Sequence, residues 1–141
     1  MKLLDVNLLV HATNPQDPRH KLAGEWLEQE LSAGHRVGLP WHSVLGFIRV
    51  STNPAAIRTP LPMADAIDIA RDWLELPHVW MPEPTADHLA VVAGLLRAEP
   101  RSRMVPDAHL AALAIEHGLT LCSADNHFKL FPGLRFHNPL E

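Results

Sequence analysis

Three aspartates are placed where they could do chemistry together: Asp5 in KLLDVNLLV, Asp107 in VPDAHLAALA and Asp125 in TLCSADNHF. Asp5 interrupts an apolar run, where an ionised carboxylate is costly unless it is hydrogen-bonded or paired. Taken singly, each has an ordinary explanation: Asp5 as the cap of a short following helix, Asp107 as a first-turn partner of a helix dipole, Asp125 as a turn residue. Gathered at one edge, the three would repel one another and need protons or a cation to balance them. Magnesium suits such a place, because it takes oxygen ligands, keeps several waters and is held by one or two carboxylates together with substrate phosphates. A site of that kind could activate water for attack on a phosphodiester. Asn7 follows Asp5 closely and could fix a water or a neighbouring carboxylate through its amide.

The elements needed to bring them together are legible in the periodicity. Lys2–Leu4 is a short apolar run that reads as a strand, and Leu22, Ala23, Trp26, Leu27 and Leu31 form one stripe of a helix over His20–Leu31. Val37–Leu39 reads as a second strand, and Pro40 precedes a helical run from Trp41 to about Val50. Pro54, Pro60 and Pro62 mark a long connection, the best candidate for a mobile or partner-contacting segment. Met63, Ala66, Ile67, Ala70, Trp73 and Leu74 then recur at helical spacing. Val79–Met81 fits a strand, Thr85 a helix N-cap, and Leu89, Val92, Leu95 and Leu96 a further buried stripe. Pro106–His117 reads as a helix ended by Gly118, followed by a strand at Leu119–Cys122 and a last one near Leu134–Phe136.

Strands alternating with helices imply an α/β fold with a mostly parallel central sheet covered on both faces, and no internal repeat divides it, so one domain over 1–141 is expected. In such a sheet ligands bind beyond the carboxyl ends of the strands. That rule puts Asp5, Asp107 and Asp125 at one edge, and only the shared edge raises them above their separate explanations.

Composition narrows the rest. With 47% hydrophobic and 20% charged residues the chain is globular, not disordered. No apolar run has the length of a membrane span and no signal-peptide pattern is present, so a cytoplasmic location and no membrane partner are expected. Cys122 is the one cysteine, which excludes an internal disulfide and a thiolate-rich zinc site. The net charge of −4 lacks the broad basic footprint of many nucleic-acid binders. Arg49 and the group Arg97, Arg101 and Arg103 could still meet phosphates, although a solvated face is the favoured explanation for them. The ten histidines form no His-x-x-x-His pair. His109, two residues from Asp107 on a helix, should point away from it toward the surface or a partner. Walker, dinucleotide-binding and serine-elbow motifs are absent.

With LLDVN at the start, PDAHLAALAIEHGLTLCSADNHF in the second half and FPGLRFHNPL at the end, the chain resembles PIN-domain proteins, specifically the VapC toxins of VapBC toxin–antitoxin pairs. The resemblance spans nearly the whole length. It implies a PIN-like three-layer α/β/α sandwich, metal-binding carboxylates at Asp5 and Asp107, a further catalytic acid at Asp125, and a hydroxyl at Ser123. It also implies a magnesium- or manganese-dependent endoribonuclease that cuts structured RNA, often transfer or ribosomal RNA, to inhibit translation. The implied partners are a small VapB-like antitoxin and a second copy of the chain in a homodimer and higher assembly.

One position departs from the family pattern. Many members carry a glutamate three residues before an arginine on the helix after the second strand, and here Gly46 stands in that place relative to Arg49. Three aspartates with one magnesium and a substrate phosphate are the favoured reading. The departure keeps open a depleted PIN module that binds antitoxin or RNA without turnover. Phosphoryl transfer through a nucleophilic Asp5 is a third possibility, but it lacks an acid/base carboxylate two residues on, where Asn7 stands.

Overall fold

The structure is a computed structural model that describes all 141 residues. Five parallel strands form one sheet: β1 (Lys2–Leu4), β2 (Val37–Gly38), β3 (Val79–Trp80), β4 (Thr120–Cys122) and β5 (Phe136–His137). Their order is β3-β2-β1-β4-β5, so the chain builds outward from β1 to β3, then returns to lay β4 against the other side of β1. The order reverses between β1 and β4, and a crevice opens at their carboxyl ends. Leu3 pairs with Leu121 and Leu4 with Cys122, which sets the two strand ends side by side.

Six helices cover the sheet: α1 (Val6–Thr13), α2 (His20–Ser32), α3 (Trp41–Ser51), α4 (Met63–Glu75), α5 (His88–Ala98) and α6 (Val105–His117). Side chains alternate across a strand, and the two central strands show it. Leu4 and Cys122 enter a core with Leu8, Phe47 and Trp73 of α1, α3 and α4. Leu3 and Leu121 enter a second core, on the opposite face, with Leu95, Ala111 and Phe128. These two layers around the sheet are the α/β/α sandwich expected from the sequence.

Prolines set several helix starts. Pro40 and Pro62 precede α3 and α4, and Pro106 occupies the first turn of α6, where a missing N–H costs nothing. Gly118 ends α6 at φ 67°, a left-handed conformation that lets its own N–H and that of Leu119 turn back to the last carbonyls.

Some boundaries differ from the sequence reading. Val6–Thr13 is a full helix, α1, whose three buried residues Leu8, Leu9 and Val10 lie side by side; so short and so uniformly apolar a run shows little helical periodicity. The strands β2, β3 and β5 are two residues long, and β5 begins at Phe136, so the expected spans are trimmed or shifted. Thr85 does not cap α5, which begins at His88; its hydroxyl instead accepts from the Asp87 N–H. The proline-rich connection is anchored by buried Ile57.

Candidate active site

Asp5 is the residue at which β1 becomes α1. Its backbone N–H donates to the Cys122 carbonyl at 3.0 Å, extending the ladder by one bond, while its Oδ1 accepts from the Val6 N–H at 2.7 Å and so caps α1. The cap and the edge position are therefore both realised. Asp5 is only 8% exposed. The N-terminal end of α3 is tied to the same place, because the buried Ser43 hydroxyl donates to the Leu4 carbonyl at 2.5 Å.

Ser123, one residue beyond β4 and fully buried, organises the pocket floor. Its hydroxyl donates to Oδ2 of Asp5 at 2.7 Å and accepts from the Asp125 N–H at 3.0 Å and from the Asn7 amide at 3.1 Å. The Asn7 carbonyl oxygen in turn accepts from the Ala124 N–H at 3.1 Å. Asn7 thus joins the start of α1 to the loop after β4, a structural task in addition to any contact with water.

Asp107 stands in the first turn of α6, half-buried, and lines the same groove as Asp5 and Asp125. Burial pushes its carboxyl up to about 6, and the negative charges of Asp5 and Asp125 push in the same direction, against a smaller opposing effect of His127. Burial also raises the Asp5 carboxyl, partly offset by the bonds from Ser123 and Val6. Asp125 is more open: its Oδ1 accepts from the His127 N–H at 2.9 Å and meets the His127 ring at 2.7 Å, which caps the following short 3-10 turn.

The groove has a volume of about 880 Å³. The three aspartates face into it, and so do His42, Arg49 and His109. The rings of His42 and His109 are 5.7 Å apart. Burial holds both below the usual histidine range, reinforced by Arg49 for His42 and by His88 and His42 for His109. This corrects the placing of His109. Asp107 sits so near the end of α6 that the groove curls around the helix terminus and receives both side chains, despite their two-residue spacing. His42, between Trp41 and Ser43 on α3, is one of the residues the sequence offers, through water, in place of the glutamate missing at Gly46, and the structure sets it in the groove. Of the arginines, Arg49 reaches the groove; Arg103 borders a smaller hollow beside Asp107 and Asp125, and Arg101 pairs with Glu99 at 2.9 Å.

Gly46 has a steric reason. A Cβ there would stand 2.5 Å from Cγ2 of Val6, so any side chain at this position would force Val6 or the α1–α3 contact to shift. The chain uses the space of the missing glutamate for helix packing.

The donor set fits a hard divalent ion. Carboxylate and amide oxygens line the crevice, while the sole thiol, Cys122, is buried in the core and pushed up to about 12. No three acidic, histidine or cysteine side chains close into a ready-made cage. An ion here would take few protein ligands, with waters and phosphate oxygens completing its shell, which is the habit of magnesium.

Comparison with known proteins agrees with this architecture. The family model described as PIN domain matches residues 2–134. Ribonuclease VapC37 of Mycobacterium tuberculosis is 38% identical over 140 residues, covering 99% of this chain and 97% of the relative. Ribonuclease VapC33 of the same species is 34% identical over 142 residues, covering 100% and 99%. Among solved structures, FitAB bound to a DNA fragment matches with a TM-score of 0.68 at 19% identity, over 100% of this chain and 96% of that one. VapC20 of Mycobacterium tuberculosis, described as a sarcin-ricin loop cleaving toxin, matches with a TM-score of 0.66 at 19% identity, over 96% and 99%.

Proposed function

The chain belongs to the PIN domain family, and from that premise we propose that it is a magnesium-dependent endoribonuclease, the toxin of a toxin–antitoxin pair. The observation that carries this reading is the convergence of buried Asp5 and half-buried Asp107 at the β1/β4 switch point, each with its carboxyl raised. Two acids that resist ionising together are a place where a cation gains.

Asp5 and Asp107 would hold the ion, with manganese able to replace magnesium. When bound, it would supply positive charge against the phosphate and favour hydrolytic attack. Ser123 fixes the Asp5 carboxylate so that its remaining lone pairs face the groove. Asp125, at the more open side, orients the attacking water. Arg49, without a partner in the protein, contacts a phosphate of the strand.

The substrate we assign is a structured RNA, transfer or ribosomal, cut in a loop whose unpaired bases can be splayed into the groove. Its cutting would halt translation. The relatives named ribonucleases support the reaction class. The partner is a small VapB-like antitoxin on a homodimeric toxin, a reading supported by the FitAB likeness and by an apolar cleft between α3 and α4, where Trp41, Leu45 and Ile67 are exposed. No helix is long and apolar enough to cross a membrane.

The test is RNA cleavage with magnesium or with EDTA, in the wild type and in Asp5→Asn. A non-hydrolytic binding module would leave RNA intact in both conditions, and Gly46 is the one feature that favours it.

A further inference from the structure

Glu116 of α6, His88 of α5 and His109 of α6 form a hydrogen-bonded chain that ends at the groove. Glu116 is firmly placed: Oε1 accepts from the Thr85 N–H at 3.0 Å and from its hydroxyl at 2.6 Å, and Oε2 meets Nδ1 of His88 at 2.5 Å. The Glu116 side chain is 3% exposed. Nε2 of His88 then meets Nδ1 of His109 at 2.8 Å, with the rings 81° apart. This leaves Nε2 as the only unengaged ring nitrogen of His109, and it is not a buried orphan. His109 shares the groove with Asp5, Asp107 and Asp125. None of the three chain members belongs to the carboxylate set described above.

The chemistry of the chain dictates where its hydrogens lie. An ionised carboxylate only accepts, so His88 carries its hydrogen on Nδ1. With His88 neutral, its Nε2 is an acceptor, so His109 donates from Nδ1 and keeps a lone pair on Nε2; a cationic His88 would donate from both nitrogens and reverse this, so the arrangement holds for the neutral ring. A phosphate oxygen has no hydrogen to give that atom, whereas a ribose 2′-hydroxyl has one. We propose that His109, held in this tautomer by Glu116 through His88, accepts a hydrogen bond from a ribose 2′-hydroxyl of the strand in the groove, and so distinguishes RNA from DNA. The proposal rests on the nuclease reading. Glu116 and His88 are positioning residues, and His109 is a specificity contact.

Glu116→Gln is the discriminating variant. Its amide oxygen can still accept from Thr85, but its NH₂ must donate to Nδ1 of His88, which reverses every hydrogen in the chain and turns an N–H of His109 toward the groove. Fluorescein-labelled random-sequence pools of single-stranded RNA and DNA, matched in length, serve as probes by anisotropy in EDTA. The wild type should prefer RNA, and Glu116→Gln and His109→Leu should each weaken RNA binding roughly three- to tenfold, the worth of one neutral hydrogen bond, with DNA binding unchanged. His109→Gln, whose amide oxygen can stand in for Nε2, should recover part of the preference. The two groove-end variants carry the test if Glu116→Gln fails to fold. Equal binding of both pools by the wild type, absence of binding, or an unaltered RNA-to-DNA ratio in the variants would overturn the proposal. Cleavage by Asp5→Asn at the wild-type rate would instead overturn the nuclease reading, so the two failures are separable.

Discussion

The Ser123 hydroxyl donates to Oδ2 of Asp5 at 2.7 Å, across the junction of β1 and β4, with Ser123 fully buried and Asp5 nearly so. This bond connects the two central strand ends through side chains where the backbone ladder stops. It also lowers the cost of keeping a carboxylate in a site whose burial works against ionisation.

Ser123→Ala should therefore destabilise the fold. It strips the donor from Asp5 and removes the acceptor of the Asp125 N–H and the Asn7 amide. A loss of about 1–3 kcal/mol is expected from leaving such buried groups unsatisfied, read by urea denaturation. A variant as stable as the wild type would show that water replaces the hydroxyl.

Metal-free stability should fall as pH rises through the range in which Asp107 ionises. Its carboxyl is raised from 3.8 to about 6, so the folded state holds the proton more tightly than the unfolded chain. The resulting stabilisation is full below pH 3.8 and is lost as pH climbs through about 6. Asp5, raised as well, adds to the same slope. Magnesium should raise the melting temperature most above this range, where Asp107 is ionised. Asp107→Asn should flatten the metal-free slope, and a slope unaltered by that change would refute the assignment.

Restoring a glutamate at Gly46 should cost stability. The new Cβ would strike Val6 at 2.5 Å, an overpacking penalty of about 1–3 kcal/mol. Shortening the obstacle in a Val6→Ala, Gly46→Glu double variant should recover much of that loss, measured as non-additivity in thermal melts. Additive losses would mean that the α1–α3 contact relaxes freely.

How far the sequence reveals this site can be followed residue by residue. Asp5 was legible because a carboxylate inside an apolar run demands a reason, and Asp107 and Asp125 because the parallel-sheet rule assigns them the same edge. The cover of the sheet was legible wherever apolar residues recur over three turns, as in α4. By contrast, α1 is eight residues long with contiguous buried Leu8, Leu9 and Val10, and its period is obscured. His109 was misplaced because a two-residue spacing separates side chains only along a helix, not around its end. The partnership of Glu116 with His88 joins residues 28 apart on different helices, and no local pattern could announce it. Gly46 reads in sequence as a missing ligand, and its closeness to Val6 is a property of three-dimensional packing alone.

Asp5 and Asp107 together are proposed to make the chain a metal-dependent ribonuclease. The most direct measurement is cleavage of total RNA by purified wild type, Asp5→Asn and Asp107→Asn, with magnesium and with EDTA, beside melting curves that establish folding. The wild type should cleave with magnesium alone, and each folded variant should lose at least about a hundredfold, on the order of 3 kcal/mol of transition-state stabilisation. Cleavage that persists in EDTA, or in either variant at the wild-type rate, would contradict this assignment.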